Sequence, residues 1–319
     1  MTTCLITGGA GFIGSHLVEL CLGRGYRTLV LDDLSTGKKE NLPLGHPDLT
    51  LIEGDIRDRV LLREIREANP DLTYLFHLAA IASVTKSMED PILTHEVNFQ
   101  GTLFLLDTFR KSLLKKIVYA SSAAVYGANP NLPLQEESLP KPQSLYGVDK
   151  LGGEHLLKVF NDSFHLPTVS CRFFNVFGER QDPSSPYSGV ISLFFARAVE
   201  RKKGSDSRIT IFGDGKQTRD FIYVKDVASA LLFLAESKNI RGDVFNIGYG
   251  RKITILDLAR KVQETLGVDI DIRFEAPREG DVRHSLADVR KLEGAGFTFS
   301  HDFETGLRRL AEFLVAKAD

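Results

Sequence analysis

The sequence contains only three cysteines, Cys4, Cys21 and Cys171, and they lie far apart. It has no C-x-x-C pair and no cluster of Cys and His, so we expect no metal site. Cys4 and Cys171 fall in apolar runs that are typical of strands. We interpret all three as buried thiols of a protein in a reducing compartment.

The sequence also lacks an excess of charge of one sign and a long apolar run. Its 40 Lys and Arg against 42 Asp and Glu give a formal net charge of −2. This balance argues against a nucleic-acid or anionic-membrane partner, although a local basic pocket is compatible with it. No apolar run reaches ~18 residues, and no basic segment precedes the first apolar run. We therefore expect a cytoplasmic protein.

Short apolar runs alternate with helical patterns up to residue 178. The patterns FIGSHLVELCLGRG and RDRVLLREIREAN are helical, as are the segments around 91–112 and 145–164. Strands that recur with helices between them predict an α/β fold with a doubly wound parallel sheet. The strand-like runs are TCLIT (3–7), TLVLDD (28–33), LTLIEGD (49–55), YLFHLAA (74–80), KIVYASS (116–122) and TVSCRFFNVFG (168–178).

The alternation changes after residue 178, where a polar segment, ERQDPSSPYSG, begins. Beyond it, the strand-like pieces RITIFG, DVFNIG and DIDIRFEA mix with helical patterns near 191–203, 225–237, 254–267 and 302–317. A chain of 319 residues is long enough for one large or two modest domains. We predict a first domain over 1–178 and a smaller lobe over 179–319, with some segments of the lobe returning to the first domain.

A glycine motif, TGGAGFIG, separates the first strand-like run from the first helical pattern. Glycine lets the backbone approach a pyrophosphate, and a helix N-terminus presents free N–H groups and a partial positive charge. The place of Gly8, Gly11 and Gly14 after the first strand is typical of a dinucleotide-binding turn, with the spacing G-x-x-G-x-x-G. The alternative is a glycine-rich turn without a ligand.

Asp32 ends the second strand-like run, 18 residues after Gly14. A carboxylate there can accept hydrogen bonds from the adenosine ribose and would repel a 2′-phosphate, so NAD is favoured over NADP. Lys38 and Lys39 could instead accommodate that phosphate, and Asp32 could be a turn residue. Asp55 and Ile56, in GDIRD, follow the third run, where an adenine could lie.

A candidate catalytic set combines the end of KIVYASS with the segment SLYGVDK (144–150). Tyr146 and Lys150 are spaced i, i+4, which places them on one face of a helix. The pKa of a free tyrosine, about 10, is too high for a base at neutral pH, but a nearby ammonium and an oxidised nicotinamide favour the phenolate. Ser122, at the sheet edge, could bind the substrate oxygen and relay its proton. The alternative is that these are surface residues of a helix.

Together the motifs resemble the extended short-chain dehydrogenase/reductase family, in particular its NAD-dependent epimerases and dehydratases, over essentially the whole chain. TGGAGFIG, LDDLSTG, HLAA, SSAAVYG, YGVDK, RFFNVFG, RDFIYVKDVA and REGDVRHSLAD occur in that order, and nucleotide-sugar 4-epimerases are the most similar subgroup. The resemblance implies a Rossmann-like domain, a smaller C-terminal α/β lobe that binds the substrate, and NAD as cofactor. It also implies a homodimer through the helices near 91–112 and 145–164, whose apolar faces could equally cover the sheet.

The resemblance implies a role for each residue of the motifs. Ser122, Tyr146 and Lys150 would be catalytic. The residues implied to bind NAD are Gly8, Gly11, Phe12, Ile13, Gly14, Asp32, Asp33, Ser35, Thr36, Gly37, Asp55, Ile56, Leu78, Ala79, Ala80, Asn98, Tyr146 and Lys150. Those implied to bind a UDP-sugar are Ser83, Ser122, Asn175, Gly189, Val190, Ile211, Phe212, Arg219, Arg278, Asp281 and Ser285.

Two guanidinium groups suit a doubly charged diphosphate, so Arg219 and Arg278 would hold it, and Asp281 would bind the uridine ribose. The arginines could instead form structural salt bridges. Asn175 and Asp281 could be turn residues.

Departures from the family pattern reduce the number of reactions that the sequence is compatible with. Ala123 and Ala124 follow Ser122, where related 4,6-dehydratases carry an Asp–Glu pair and related decarboxylases a Glu. Elimination of water needs carboxyl groups as acid and base, so these alanines argue against a dehydratase. Ala82 stands where some galactose-type epimerases have a lysine that contacts the phosphates.

Ser285 bears on the sugar. In the family a tyrosine at this place accompanies epimerases restricted to glucose and galactose, and a small residue accompanies those that accept N-acetylated sugars. We therefore expect a UDP-sugar 4-epimerase that interconverts UDP-N-acetylglucosamine with UDP-N-acetylgalactosamine, and UDP-glucose with UDP-galactose, through a 4-keto sugar. The alternatives are a nucleotide-sugar dehydrogenase or reductase, another 4-epimerase such as one for UDP-glucuronate, and a non-catalytic NAD-binding regulator. The intact Ser122–Tyr146–Lys150 set argues against the last of these.

Overall fold

The computed structural model describes residues 1–183, 189–277 and 282–318. The chain divides into two compact units. The first unit consists of Met1–Gly127, Ser138–Phe173 and Val227–Asn246, and the second of Ala128–Glu137, Phe174–Asp226 and Ile247–Asp319. The chain passes between the units several times, so neither of them is one continuous segment.

In the described part of the chain, the strands are β1 (Thr3–Thr7), β2 (Arg27–Asp32), β3 (Leu49–Glu53), β4 (Leu72–His77), β5 (Lys116–Ser122), β6 (Thr168–Phe173), β7 (Asn175–Phe177), β8 (Ile209–Phe212), β9 (Thr218–Tyr223), β10 (Asp243–Ile247), β11 (Lys252–Thr254) and β12 (Ile272–Glu275). The α-helices are α1 (Phe12–Gly23), α2 (Arg59–Ala68), α3 (Val84–Glu89), α4 (Pro91–His95), α5 (Gly101–Phe109), α6 (Leu145–Phe164), α7 (Val190–Lys202), α8 (Val224–Glu236), α9 (Ile255–Leu266), α10 (Arg290–Gly294) and α11 (Phe303–Ala318). Short 3₁₀ turns cover Lys39–Asn41 and Ala123–Tyr126, and a π turn covers Glu96–Gln100.

The large sheet has the strand order β10-β6-β5-β4-β1-β2-β3. The pairs β1–β2, β1–β4, β2–β3, β4–β5 and β5–β6 are parallel, and the order 3-2-1-4-5-6 is that of a Rossmann-like sheet. The predicted fold class is therefore confirmed. One face of the sheet is covered by apolar side chains from α2, α5 and α6, including Leu62, Ile65, Leu105, Leu106, Phe109, Leu157 and Phe160, packed on Leu5, Leu29, Leu75 and Ile117.

Two predicted elements are wrong in detail. The apolar run 168–178 predicts one strand, but it is divided at Phe174 into β6 and β7, which belong to different sheets. The N–H of Phe174 donates to the carbonyl of Ile247 at 2.9 Å, so this residue leaves the ladder between β5 and β6. The single helix predicted around 91–112 is α4, the π turn and α5 in sequence, ending at Phe109.

The second unit contains two small sheets, β11-β9-β7 and β12-β8. Its interior includes an aromatic cluster, in which the ring of Phe177 lies 5.3 Å from that of Phe303 and 6.5 Å from that of Phe221. Asp220, on β9, is buried and accepts hydrogen bonds from the backbone N–H groups of Tyr249, Gly250 and Ala287 at 2.8 to 3.0 Å. A buried carboxylate with three such donors joins β9 to two loops of this unit.

The three cysteines are buried free thiols, as predicted. Within the ranges that the structure covers, no three His, Cys, Asp or Glu side chains are grouped as ligands for a metal ion. None of the helices in those ranges combines the length and apolar character needed to cross a bilayer.

Candidate active site

The turn between β1 and α1 has no room for side chains at two of its glycines. Gly8 has a φ of +70°, and a Cβ there would lie 2.7 Å from the backbone nitrogen of Ala79. A Cβ on Gly14 would lie 2.2 Å from the carbonyl oxygen of Gly8. A Cβ atom does not approach other heavy atoms this closely, so the turn keeps this close geometry only with glycine at both places.

The N-terminus of α1 is a ready anion site. Gly11 is the N-cap and offers no side-chain acceptor, and the first turn of α1 has no acidic residue. The first N–H groups of a helix have no intrahelical partner, and the helix dipole places partial positive charge there. The backbone N–H groups at Phe12, Ile13 and Gly14 can therefore donate to an anion such as a pyrophosphate group, and their contact with the phosphates of a dinucleotide stays a prediction.

Asp32, at the end of β2, is buried and already accepts two backbone hydrogen bonds. Its Oδ2 accepts from the N–H of Ala10 at 2.8 Å, and its Oδ1 accepts from that of Leu34 at 2.9 Å. Burial raises the pKa of this carboxyl group, and the two N–H groups oppose that shift. Each carboxylate oxygen has a further lone pair, so Asp32 can hold its loop and still accept a ribose hydroxyl.

The loop after β2 contains the other predicted ribose-side residues. Asp33 Oδ1 accepts hydrogen bonds from the N–H and the hydroxyl of Ser35, while Thr36 is exposed and Gly37 is buried. A Cβ on Gly37 would lie 2.6 Å from Asp32 Oδ1. Lys39 is paired with Glu53 at 2.5 Å, so its ammonium group is partly neutralised, which disfavours its use as the partner of a 2′-phosphate.

Asp55 and Ile56 lie between β3 and α2. Arg57 donates to both carboxylate oxygens of Asp55 and also pairs with Glu96 at 2.9 Å. The hydrogen bonds from Arg57 lower the pKa of Asp55, so its carboxylate is fixed by a neighbour. Ile56 is buried and packs against Gly101, where an added Cβ would lie 2.8 Å from the Ile56 side chain.

The loop after β4 is held by two buried polar side chains. The amide of Asn98, in the π turn, accepts from the N–H of Ile81 at 2.8 Å and donates to its carbonyl at 3.1 Å. Thr7 binds the other end of the loop, where its hydroxyl accepts from the N–H of Ala79 and its carbonyl accepts from that of Leu78. Asn98 thus positions the loop that carries Ala79 and Ala80, and its direct contact with NAD stays a prediction.

Ser83 is the N-cap of α3, where its hydroxyl oxygen accepts from the N–H of Lys86 at 3.0 Å. The side chain is buried, and its O–H remains able to donate. A short helix at this place was not predicted from the sequence.

Ser122 and Tyr146 are brought together by β5 and α6. Ser122 is the last residue of β5, and its Oγ accepts from the N–H of Ala124 at 3.1 Å. Ser144 caps α6 by accepting from the N–H of Gly147 at 3.1 Å, which places Tyr146 in the first turn. Burial raises the pKa of the Tyr146 phenol, and a hydrogen bond with Ser122 lowers it. The serine therefore favours the phenolate that a base would need.

Lys150 lies one turn after Tyr146, as predicted from the i, i+4 spacing. It is buried, and its Nζ donates to the carbonyl of Ala120 at 2.8 Å and lies 5.9 Å from the centroid of the Tyr146 ring. Burial lowers the pKa of Lys150 to about 7, while the carboxylates of Asp149 and Glu154 act in the opposite direction. This lysine can thus change its charge near neutral pH.

Buried charges behind Lys150 were missed in the sequence. Glu154 binds Arg172 of β6 through both carboxylate oxygens, at 2.7 and 2.9 Å, and accepts from the hydroxyl of Ser121. Asp149 pairs with His95 of α4 at 2.8 Å. Glu154 stands i+4 from Lys150, and this spacing is the signal in the sequence that could have indicated a supporting group.

The second unit carries most of the residues predicted to bind substrate. Asn175 begins β7, and its Nδ2 donates to the carbonyl of Asp220 at 3.0 Å. Arg219 and Ser285 are both tied to Thr218, since the Arg219 guanidinium donates to the Thr218 carbonyl at 2.9 Å and the Ser285 N–H does so at 3.1 Å. The structure therefore brings Arg219 and Ser285 to the start of β9.

The remaining predicted substrate residues of this unit lie on α7 and β8. Gly189 is the N-cap of α7, without a side-chain cap, and Val190 is its first residue. Ile211 is buried and Phe212 is half-buried on β8, so at Ile211 the backbone alone could meet a ligand. Arg278 and Asp281 lie outside the described residues.

The sequence profile of the NAD-dependent epimerase/dehydratase family matches residues 4–248. The chain belongs to this family. Membership confirms the resemblance that the motifs predict, and with it NAD as the cofactor, for which the turn between β1 and α1 and the carboxylate of Asp32 are suited.

Several proteins are similar to this one over nearly the whole chain. The UDP-glucose 4-epimerase of Mycolicibacterium smegmatis is 34% identical over 318 residues, which is 98% of this chain and 99% of that protein. The structure of the UDP-N-acetylglucosamine 4-epimerase from Methanobrevibacter ruminantium M1, in complex with UDP-N-acetylmuramic acid, is 39% identical, covers 99% of both chains and has a TM-score of 0.93. The structure of the Thermus thermophilus UDP-glucose 4-epimerase in complex with NAD is 35% identical, covers 98% of this chain and 99% of that chain, and has a TM-score of 0.89.

Proposed function

We propose that the protein is a UDP-sugar 4-epimerase that keeps its NAD through the catalytic cycle. The observation that carries this proposal is the placement of Ser122, Tyr146 and Lys150 in the unit that also contains the phosphate-binding turn. The names of the similar proteins support it. Ala123 and Ala124, in the 3₁₀ turn after Ser122, supply no carboxyl group for the elimination of water, which argues against a dehydratase.

Tyr146 is the proposed base. When bound, NAD would supply the redox chemistry at carbon 4 of the sugar, oxidising it and then reducing it again. The Tyr146 phenolate takes the proton of the 4-hydroxyl group and later returns it, so the protein gains no net proton over the cycle. Its hydrogen bond with Ser122 favours the ionised form.

Ser122 and Lys150 assist the base in different ways. Ser122 donates its O–H to the oxygen on carbon 4, which fixes that oxygen beside Tyr146. Lys150, in its ammonium form, lies near enough to the Tyr146 ring to stabilise the negative charge of the phenolate. Its bond to the Ala120 carbonyl sets the position of the ammonium group.

The nucleotide is proposed to be held by its charge. The guanidinium group of Arg219 suits the diphosphate, together with Arg278, and Asp281 would bind the uridine ribose. The substrate can stay bound through these groups while the sugar turns over to present its other face. Asn175, whose Nδ2 is bonded to the Asp220 carbonyl, can use its Oδ1 for the sugar nucleotide.

The proposed substrates include UDP-sugars with an N-acetylated sugar as well as UDP-glucose and UDP-galactose. Ser285 is a small residue whose backbone N–H donates to the Thr218 carbonyl at 3.1 Å, which fixes the position of its backbone. An acetamido group at carbon 2 needs volume that a larger side chain would fill. The similarity to a UDP-N-acetylglucosamine 4-epimerase supports this substrate, and a site that admits the larger sugars would also admit UDP-glucose and UDP-galactose.

Replacement of Ser285 by tyrosine tests the choice of sugar. Overpacking a formed pocket costs ~1–3 kcal/mol. Ser285→Tyr should therefore lower activity on the acetylated pair, UDP-N-acetylglucosamine and UDP-N-acetylgalactosamine, by roughly ten-fold or more. Activity on the plain pair, UDP-glucose and UDP-galactose, should be spared. The measurement is kcat/KM on all four UDP-sugars, with Ser285→Ala as the control that keeps the residue small. Equal losses on both pairs, or a wild-type enzyme inactive on the acetylated sugars, would contradict the proposal.

A homodimer through α4, α5 and α6 stays a prediction. The inward faces of α5 and α6 cover the sheet, but Ile92 of α4 and Val148 and Val159 of α6 are exposed, at 70%, 49% and 52%. Exposed apolar side chains on neighbouring helices favour a protein partner for this face. Sedimentation equilibrium of the wild type and of Val159→Glu would test it, and a wild-type monomer at micromolar concentration would contradict it.

A further inference from the structure

A groove in the first unit has a concentration of positive charge that the proposed reaction does not use. It lies between α2 and the end of α5 and has a volume of about 440 Å³. Cationic side chains outnumber carboxylates in its lining by five to one, although the whole chain has a net charge of −2. The lining residues are Arg59, Arg63, Arg66, Asp107, Thr108, Arg110 and Lys111.

The cations converge because of helix geometry. Arg59, Arg63 and Arg66 are spaced i, i+4 and i+7 on α2, which puts them on one face. Arg110 and Lys111 follow the last residue of α5, the helix that packs beside α2. Like charges at i, i+4 on one helix repel each other and destabilise the helix. A bound anion would reduce this repulsion between the arginines of α2.

The charges of the groove are only partly neutralised by the protein. Asp107 is shared, at 3.8 Å from Arg59 and 3.3 Å from Arg110. Arg66 is half-buried and donates to the Thr108 carbonyl at 3.1 Å and to Glu67 at 2.9 Å. Arg63 donates to the Arg59 carbonyl at 3.2 Å, and neither Arg63 nor Lys111 has a carboxylate partner in the ranges that the structure describes.

Two of the guanidinium groups are held in place by aromatic rings. Arg59 lies over Phe104 at 5.2 Å and Arg110 over Phe164 at 5.5 Å. Stacking restrains the planes of these groups and leaves N–H donors at their edges. Donors that are already positioned lose less freedom when they bind an anion.

We propose that the α2–α5 groove binds a small ligand that carries two or more phosphate groups. Guanidinium groups match phosphate oxygens in paired hydrogen bonds, and a lysine adds a point charge. The cations are confined to one concave site and are not drawn out in the long stripe that a nucleic-acid backbone needs. The groove is formed by other residues than the glycine turn and Asp32, so a polyphosphate there would not replace the dinucleotide.

The test is the binding of inorganic tripolyphosphate to the NAD-loaded protein at low ionic strength, measured by titration calorimetry. Arg63→Gln with Lys111→Gln removes the two cations of the lining that have no carboxylate partner among the described residues. Arg24→Gln with Lys238→Gln is the matched control, since it removes one exposed arginine and one exposed lysine outside the groove. We expect the dissociation constant to rise at least ten-fold in the groove variant, because it loses two of the five cations of the lining. We expect a rise of less than two-fold in the control, because its groove is unchanged.

Equal affinities of the two double variants would overturn the proposal. So would competition by sulfate at the same concentration as tripolyphosphate, because that result would mean general charge screening. If a DNA duplex binds more tightly than tripolyphosphate and this binding depends on Arg63 and Lys111, the proposal is also overturned, because the ligand would then be a nucleic acid. Hydrogen exchange of the wild-type protein gives an independent measure, in which tripolyphosphate should protect the amides of α2 and the end of α5, and unchanged exchange there would also overturn the proposal.

Discussion

Replacement of Gly14 by alanine should weaken the binding of NAD in a protein that still folds. An added Cβ at residue 14 would lie 2.2 Å from the Gly8 carbonyl oxygen and 2.7 Å from the Gly9 Cα. Both are backbone atoms, so the turn must open to relieve the contact. Overpacking of this kind costs ~1–3 kcal/mol. If the opened turn no longer fits the pyrophosphate, the same free energy corresponds to a roughly five- to 150-fold loss of NAD affinity.

The assay is the amount of NAD released when the purified variant is denatured, together with its melting temperature. Gly23→Ala is the control, since it lies at the end of the same helix and an added Cβ there meets no atom within 4 Å. Alanine is favoured over glycine in a helix by up to ~1 kcal/mol, so the control should retain NAD and melt at the same temperature or higher. A Gly14→Ala protein that retains as much NAD as the control would refute the assignment of this turn.

Three further predictions concern the first unit. Tyr146→Phe should lower turnover by at least ~10²-fold, the usual contribution of a general base, with NAD retained; a variant with more than about a tenth of wild-type activity would exclude Tyr146 as the base. Asp32→Ala should weaken NAD retention and relax discrimination against NADP. It should also lower the melting temperature, because the N–H groups of Ala10 and Leu34 lose their acceptor. Tight binding of NADP by the wild type would contradict this prediction. Burial lowers the pKa of Lys150 to about 7, against ~10.4 for an unfolded lysine, so between these values the unfolded chain binds more protons and the free energy of unfolding rises with pH. Urea unfolding of the NAD-free protein at pH 7 and pH 9 should show a smaller rise for Lys150→Met than for the wild type, and equal rises would show that Lys150 is not the group responsible.

The sequence predicts best the elements whose patterns are local. Residues 145–164 form α6 as predicted, because the N-cap Ser144 and the apolar spacing both lie within the segment. The break at Phe174 could not be predicted, because an apolar run looks the same whether it stays in one sheet or changes to another. β9 was missed because Arg219 and Asp220 interrupt its apolar pattern, and the three backbone donors that stabilise the buried Asp220 come from distant parts of the chain.

The same distinction holds for the candidate site. The spacing of Tyr146 and Lys150 is a local feature and was predicted, whereas their buried environment depends on β5, α4 and β6. The bonds of Asn98 to Ile81 and of Arg172 to Glu154 join residues that are 17 and 18 positions apart. No spacing rule for a single helix or strand covers such pairs.

The central claim is that one active site oxidises and then reduces the same carbon of a UDP-sugar with retained NAD. The most direct test is incubation of the purified protein, without added NAD, with UDP-N-acetylglucosamine labelled with deuterium at carbon 4, followed by separation of the products and mass spectrometry. The account predicts UDP-N-acetylgalactosamine that still carries the deuterium at carbon 4. Loss of the deuterium, or turnover that occurs only when NAD is supplied in solution, would contradict it.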